Sequence, residues 1–94
     1  MATYRIAHLR EQGQDMIIMP LESSFGYKSE NEQHEFITAL RVCARSAGLA
    51  GAVVPVWREG GGHRFIAPPP WHSFFRSLPF NAILANLNKE LTCG

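Results

Sequence analysis

Apolar residues fall at helical spacing along one long stretch of the chain. From Ser29 to Gly48, Phe36, Ile37, Leu40, Cys43, Ala44 and Ala47 follow the i, i+3, i+4, i+7 rule, while Thr38, Arg41 and Arg45 take the other side. Both ends are marked. Ser29 and Glu32 make an S-x-x-E capping box, in which the hydroxyl accepts from a backbone N–H and the carboxylate reaches back to the Ser29 N–H. Glu30, Glu32 and Glu35 load the positive end of the helix dipole, and Arg41 and Arg45 the negative end. Gly48 suits the left-handed position that closes a helix. Such a stripe needs an apolar surface to cover, and the rest of the chain reads as a sheet.

Shorter, strand-like patterns flank the helix. Thr3 to Leu9 alternates loosely and predicts a strand; the polar run Arg10 to Gln14 predicts a turn. Asp15 to Leu21 is apolar on both faces, as a central strand would be, with Pro20 ending regular pairing. Glu22 to Lys28 is a loop into the helix. Beyond the helix, Ala52 to Arg58 is a third strand, and Pro55 predicts that it lies at an edge or is bulged. Glu59 to Gly62 supplies a turn, and His63 to Ala67 a fourth strand.

The prolines Pro68, Pro69 and Pro70 stop the sheet, and Trp71 to Ser77 predicts a short helix. Ser77 and Pro79 then open a last helix, with Phe80, Ile83, Leu84, Leu87 and Leu91 at helical spacing through Leu91. The expected fold is α+β in the order β-β-α-β-β-α, a four-stranded, mainly antiparallel sheet over residues 1–94 as a single domain. The long helix covers one face; the C-terminal helix lies beside it or on a partner. If the second and third strands are neighbours, the long helix is a crossover between them.

Composition narrows the function classes. The chain has 94 residues, near the lower comfortable size for one independent domain. Charged residues make up only 18%, which leaves room for a buried interface and favours a homodimer. A net charge of +1 argues against a dedicated nucleic-acid binder. The first residues lack the apolar core of a signal peptide, and the densest apolar run, Met16 to Leu21, is far too short to span a bilayer. Cys43 and Cys93 have no CxxC partner and read as free thiols, with a disulfide as the alternative; the cytoplasm is the default compartment.

No catalytic constellation stands out. Gly26 and Lys28 precede a helix but lack P-loop spacing, and acidic residues occupy the helix start. His8, His34, His63 and His72 show no metal-ligand spacing, so no metal and no cofactor are expected. The most unusual composition runs from Pro68 to Phe75, joined by Trp57 across the second hairpin. Its aromatics are either core or a pocket or partner surface rimmed by Arg58, His63, Arg64 and Arg76; aromatic and arginine residues together are what interface hot spots use. The candidate binding residues are Trp57, Arg58, His63, Arg64, Trp71, His72, Phe75 and Arg76.

At IIMPLESSFGYKSENEQ, AGLAGAVVPVW and FIAPPPWHSFF the sequence resembles a group of small bacterial proteins without assigned function, some of the kind carried on integron gene cassettes. The resemblance implies a bacterial cytosolic origin and a compact domain, and carries over no site residue. The leading expectation is a non-enzymatic binding or protein-interaction domain. The alternative is a small-molecule-binding protein or small enzyme, with a pocket near the second hairpin and C-terminal helices and Glu59, His63 and His72 as polar groups. Nucleic-acid binding stands third.

Overall fold

The computed structural model describes residues 2–11, 13–49 and 51–93. The first turn falls at Gly13, and Gln12 of the expected turn lies outside the described residues. Strands β1 (Ala2–Glu11) and β2 (Gln14–Leu21) pair antiparallel. A 3-10 turn, Ser23–Tyr27, leads into helix α1 (Glu30–Ser46). Strands β3 (Ala52–Glu59) and β4 (Gly62–Phe65) form the second hairpin. A 3-10 turn at Pro69–Trp71, helix α2 (His72–Ser77), helix α3 (Phe80–Ala85) and strand β5 (Lys89–Cys93) complete the chain.

The sheet has five strands in the order β4-β3-β2-β1-β5. β2 and β3 run parallel, from Met16↔Ala52 to Leu21↔Trp57, so α1 is the crossover between them. The sheet is therefore mixed, with five strands where four, mainly antiparallel, were expected.

Helix α1 forms as its sequence dictates. Ser29 is the N-cap; its Oγ accepts from the Glu32 N–H at 3.2 Å, and Glu32 Oε1 accepts from the Ser29 N–H at 3.2 Å. At the other end Leu49 N–H donates to the Ala44 carbonyl (2.9 Å) and Gly48 N–H to the Arg45 carbonyl (3.0 Å), a Schellman closure with Gly48 at φ 79°.

Alternation along β2 and β3 divides the core between two faces. Ile17, Met19 and Val53 meet Leu40 and Ala44 of α1, joined by Ile6 and Leu91. Met16, Ile18, Val54 and Val56 meet Phe75 of α2 and Ile83 of α3 on the opposite face. The C-terminal helices thus cover the far side of the sheet, not the space beside α1. Each large side chain so buried contributes about 1.5–3 kcal/mol.

Three further expectations are corrected. Pro55 lies in the second strand from the edge, paired with Met19 on β2. Its carbonyl accepts from the Ile66 N–H at 3.1 Å, and β4 pairs only from Val56↔Phe65 onward. The side that lacks a donor therefore faces the point where β4 leaves the ladder, and no bulge is needed. The last helix ends at Ala85, not Leu91, because Lys89–Cys93 pairs with Ala2–Ile6 of β1 as an edge strand. Pairing that backbone and burying Leu91 completely outweighs the helix propensity of Lys89, Glu90 and Leu91. Finally, Cys43 and Cys93 are not free thiols. They form a disulfide with Cα atoms 5.7 Å apart, joining α1 to β5.

Candidate functional site

The carboxyl ends of the parallel pair, Leu21 of β2 and Glu59 of β3, carry the loops where open α/β sheets place their ligands. Three concavities meet there. The most apolar, about 410 Å³, is lined by Tyr4, Leu21, Phe25 and Phe36, with Thr3, Glu22, Ser24 and Lys28 among its polar residues. A second, about 350 Å³, lies between the Ser23–Tyr27 turn and Arg58, Glu59 and Gly60. The third, also about 350 Å³, is formed by Arg58, the Gly60–Gly62 turn, His63, Pro79, Phe80 and Asn81.

Arg58 separates the second and third concavities and is held from two sides. Its Nη2 donates to Asn81 Oδ1 at 2.8 Å, and its guanidinium carbon lies 4.9 Å from the centre of the Phe80 ring. Neither partner is charged. The adjacent Glu59 is engaged across the hairpin by Arg64. Among the described residues no carboxylate lies within ion-pair distance of Arg58. Added side-chain atoms at Gly60, Gly61 and Gly62 would meet nothing within 4 Å, and the turn shares the lining of the third concavity with Arg58.

His63 fixes the inner wall. Its Nε2 lies 2.9 Å from the Phe75 carbonyl. A carbonyl only accepts, so Nε2 carries the proton and the Nδ1 lone pair remains available in the neutral ring. His72 repeats the arrangement, with Nε2 2.9 Å from the Ala67 carbonyl. Both rings pack against Phe65. They staple α2 to the β4 side of the molecule through backbone oxygens. Among the described residues no group of three or more His, Cys, Asp or Glu side chains is placed to hold a metal ion.

The candidate residues of the aromatic stretch separate. Trp57 is buried on the α1 face against Phe25 and Ile37, with the Phe25 ring 5.0 Å away. Trp71 packs on the opposite face against Phe74, 6.0 Å between rings, and Phe75 is core beneath it. The two tryptophans thus form no common surface. Arg58 and His63 come together in the third concavity, while Arg64 pairs with Glu59 and Arg76 stands exposed at the end of α2.

Sequence reasoning missed Asn81 and Phe80, which hold Arg58, and the aromatic row that Tyr4, Phe36 and Phe25 make with the candidate Trp57 beside the first concavity. No sequence spacing links Arg58 to Asn81; only the descent of α3 onto the hairpin does. Gly26 offered a partial signal. Its missing side chain admits the Trp57 indole, since a Cβ there would stand 2.6 Å from Nε1. That buried Nε1–H has no hydrogen-bond partner among the described residues.

Compared with protein families, with curated proteins and with solved structures, the chain matches none of them.

Proposed function

We propose that the protein is a small non-enzymatic binding domain whose ligand presents a compact anion, phosphate or carboxylate, to Arg58. The observation that carries this is a guanidinium pre-oriented by Asn81 and Phe80, with no carboxylate partner among the described residues, lining a concavity shared with a glycine turn. A planar fork suits oxyanions, and charge-assisted bonds to it are about twice as strong as neutral ones. The His63 ring on the inner wall supplies polar chemistry at its Nδ1. Nothing in this arrangement requires a cofactor.

A thermal-shift series tests the proposal, using inorganic phosphate, acetate and a set of phosphorylated and carboxylated metabolites. A ligand at 100 times its Kd adds about 2.7 kcal/mol. Anionic members should raise the Tm, the effect should vanish in Arg58→Ala, and it should persist in Arg76→Ala. Anion responses that survive Arg58→Ala, or none at all, refute it.

A second copy of the chain is the partner we propose, on the charged fraction of only 18%, which leaves surface for a buried interface. Light scattering that reads a monomer at every concentration would end this part of the proposal. A bacterial cytoplasmic setting is proposed on the sequence resemblance. Among the described residues no helix is long and apolar enough to cross a membrane.

A further inference from the structure

We infer that the Cys43–Cys93 disulfide is a redox latch on the C-terminal strand: a dithiol reductant opens it and frees β5 from α1, with Asn88 as the hinge. This goes beyond anion binding and stands on separate observations. β5 is an edge strand of five residues, and Leu91 is its only buried side chain. It is held at both ends by different chemistry. At the near end, Asn88 clamps β1: its Oδ1 accepts from the His8 N–H (2.9 Å), its Nδ2 donates to the His8 carbonyl (3.1 Å), and its own N–H donates to the Ile6 carbonyl (3.0 Å). At the far end the disulfide ties Cys93 to Cys43 on α1. Between them lie the backbone pairs from Ile6↔Lys89 to Ala2↔Cys93.

The latch is within reach of a reagent. Both cysteines are half-buried and line a cavity of about 590 Å³ with Ala39, Val42, Ser46 and Thr92. Exchange proceeds by attack of one reductant thiolate on either sulfur, which expels the other cysteine as a thiolate. The reductant's second thiol then closes on its own mixed disulfide and expels the second cysteine. Two electrons pass from the dithiol, which leaves as a cyclic disulfide, and two protons end on the cysteine thiols. In reducing surroundings such a bond forms and opens transiently, whereas in an oxidising compartment it persists. Opening acts on more than the tail. Thr3 and Tyr4 pair with Thr92 and Leu91, next to the Ala2↔Cys93 pair, and both line the 410 Å³ concavity. Release of β5 therefore exposes the β1 edge and loosens that wall together.

Hydrogen exchange read by mass spectrometry tests the latch on the full chain. The oxidised protein is compared with protein reduced by dithiothreitol and with the Cys43→Ser/Cys93→Ser double variant. A mass increase of about 2 Da, the two protons taken up, checks that reduction occurs in the folded chain. The expected result is exchange at least about tenfold faster in Ala2–Ile6 and Lys89–Cys93, with β2, β3 and α2 unchanged. Unchanged exchange after reduction overturns the latch. Faster exchange throughout overturns it too, and makes the bond a staple of the whole fold. A bond that resists dithiothreitol until the chain unfolds has the same consequence.

Discussion

The two faces of the sheet are covered by opposite means. On one, the 17-residue helix α1 carries its own caps, its own charge pattern and a covalent tie to the sheet edge. On the other, α2 and α3 have six residues each, neither has a side-chain N-cap, and a proline joint separates them. Helices that short are not stable alone. They hold because Phe75 and Ile83 are buried and because His63 and His72 donate to backbone carbonyls. One face is thus assembled from local signals and the other almost wholly from tertiary contact. The candidate anion site lies where the second kind of face meets the hairpin.

Substitutions can break that contrast. The largest effect is expected at Phe75, which is fully buried under the short helices. Phe75→Ala should cost about 3–5 kcal/mol in chemical denaturation. On a domain whose total stability is about 5–15 kcal/mol, this should melt the α2–α3 side first. Loss of circular-dichroism signal from α1 at the same denaturant concentration would show instead that both faces fold as one unit.

A smaller effect is expected at His72. His72→Leu keeps bulk but leaves the Ala67 carbonyl without its donor. An unsatisfied, partly buried carbonyl costs about 1–3 kcal/mol. Urea denaturation of His72→Leu measures the loss, and a variant as stable as the parent would remove the His72–Ala67 bond from what holds α2 in place.

The smallest effect belongs to the α1 cap. Ser29→Ala should cost about 1 kcal/mol. The Ser29 backbone N–H, and then its hydroxyl, hold the Glu32 carboxyl below its ordinary value, with a lesser contribution from Lys28. A depressed folded-state pKa adds stability above the unfolded carboxylate value, and that stability is lost as pH falls through the folded value. Acid titration of the helix signal should therefore flatten in Glu32→Gln below pH about 4. An unchanged acid limb would remove Glu32 from the account.

These differences match what could be read along the chain. The capping box, the apolar stripe and Gly48 placed α1 within a residue or two of its observed ends, and the two hairpins followed from alternation and glycine turns. Each of those signals acts between residues close in sequence. The candidate residues Arg58 and His63 were legible as types, but Trp57 and Trp71 were grouped together although a sheet lies between them. Proximity in sequence does not say which face a residue joins: strand alternation turns Trp57 toward α1, while Phe65, Ala67 and Trp71 pack on the opposite face.

The sequence by itself determined α1, the strands β1 to β4 and the double-sided burial of β2, because local periodicity and end signals decide them. Tertiary structure alone decided the fifth strand, the Cys43–Cys93 bond, the tolerance of Pro55 and the clasp of Asn81 and Phe80 on Arg58. In each of those cases partners remote in sequence compete with a local preference. The gain from pairing an open edge or filling a core slot outweighs a propensity of well under ~1 kcal/mol per residue.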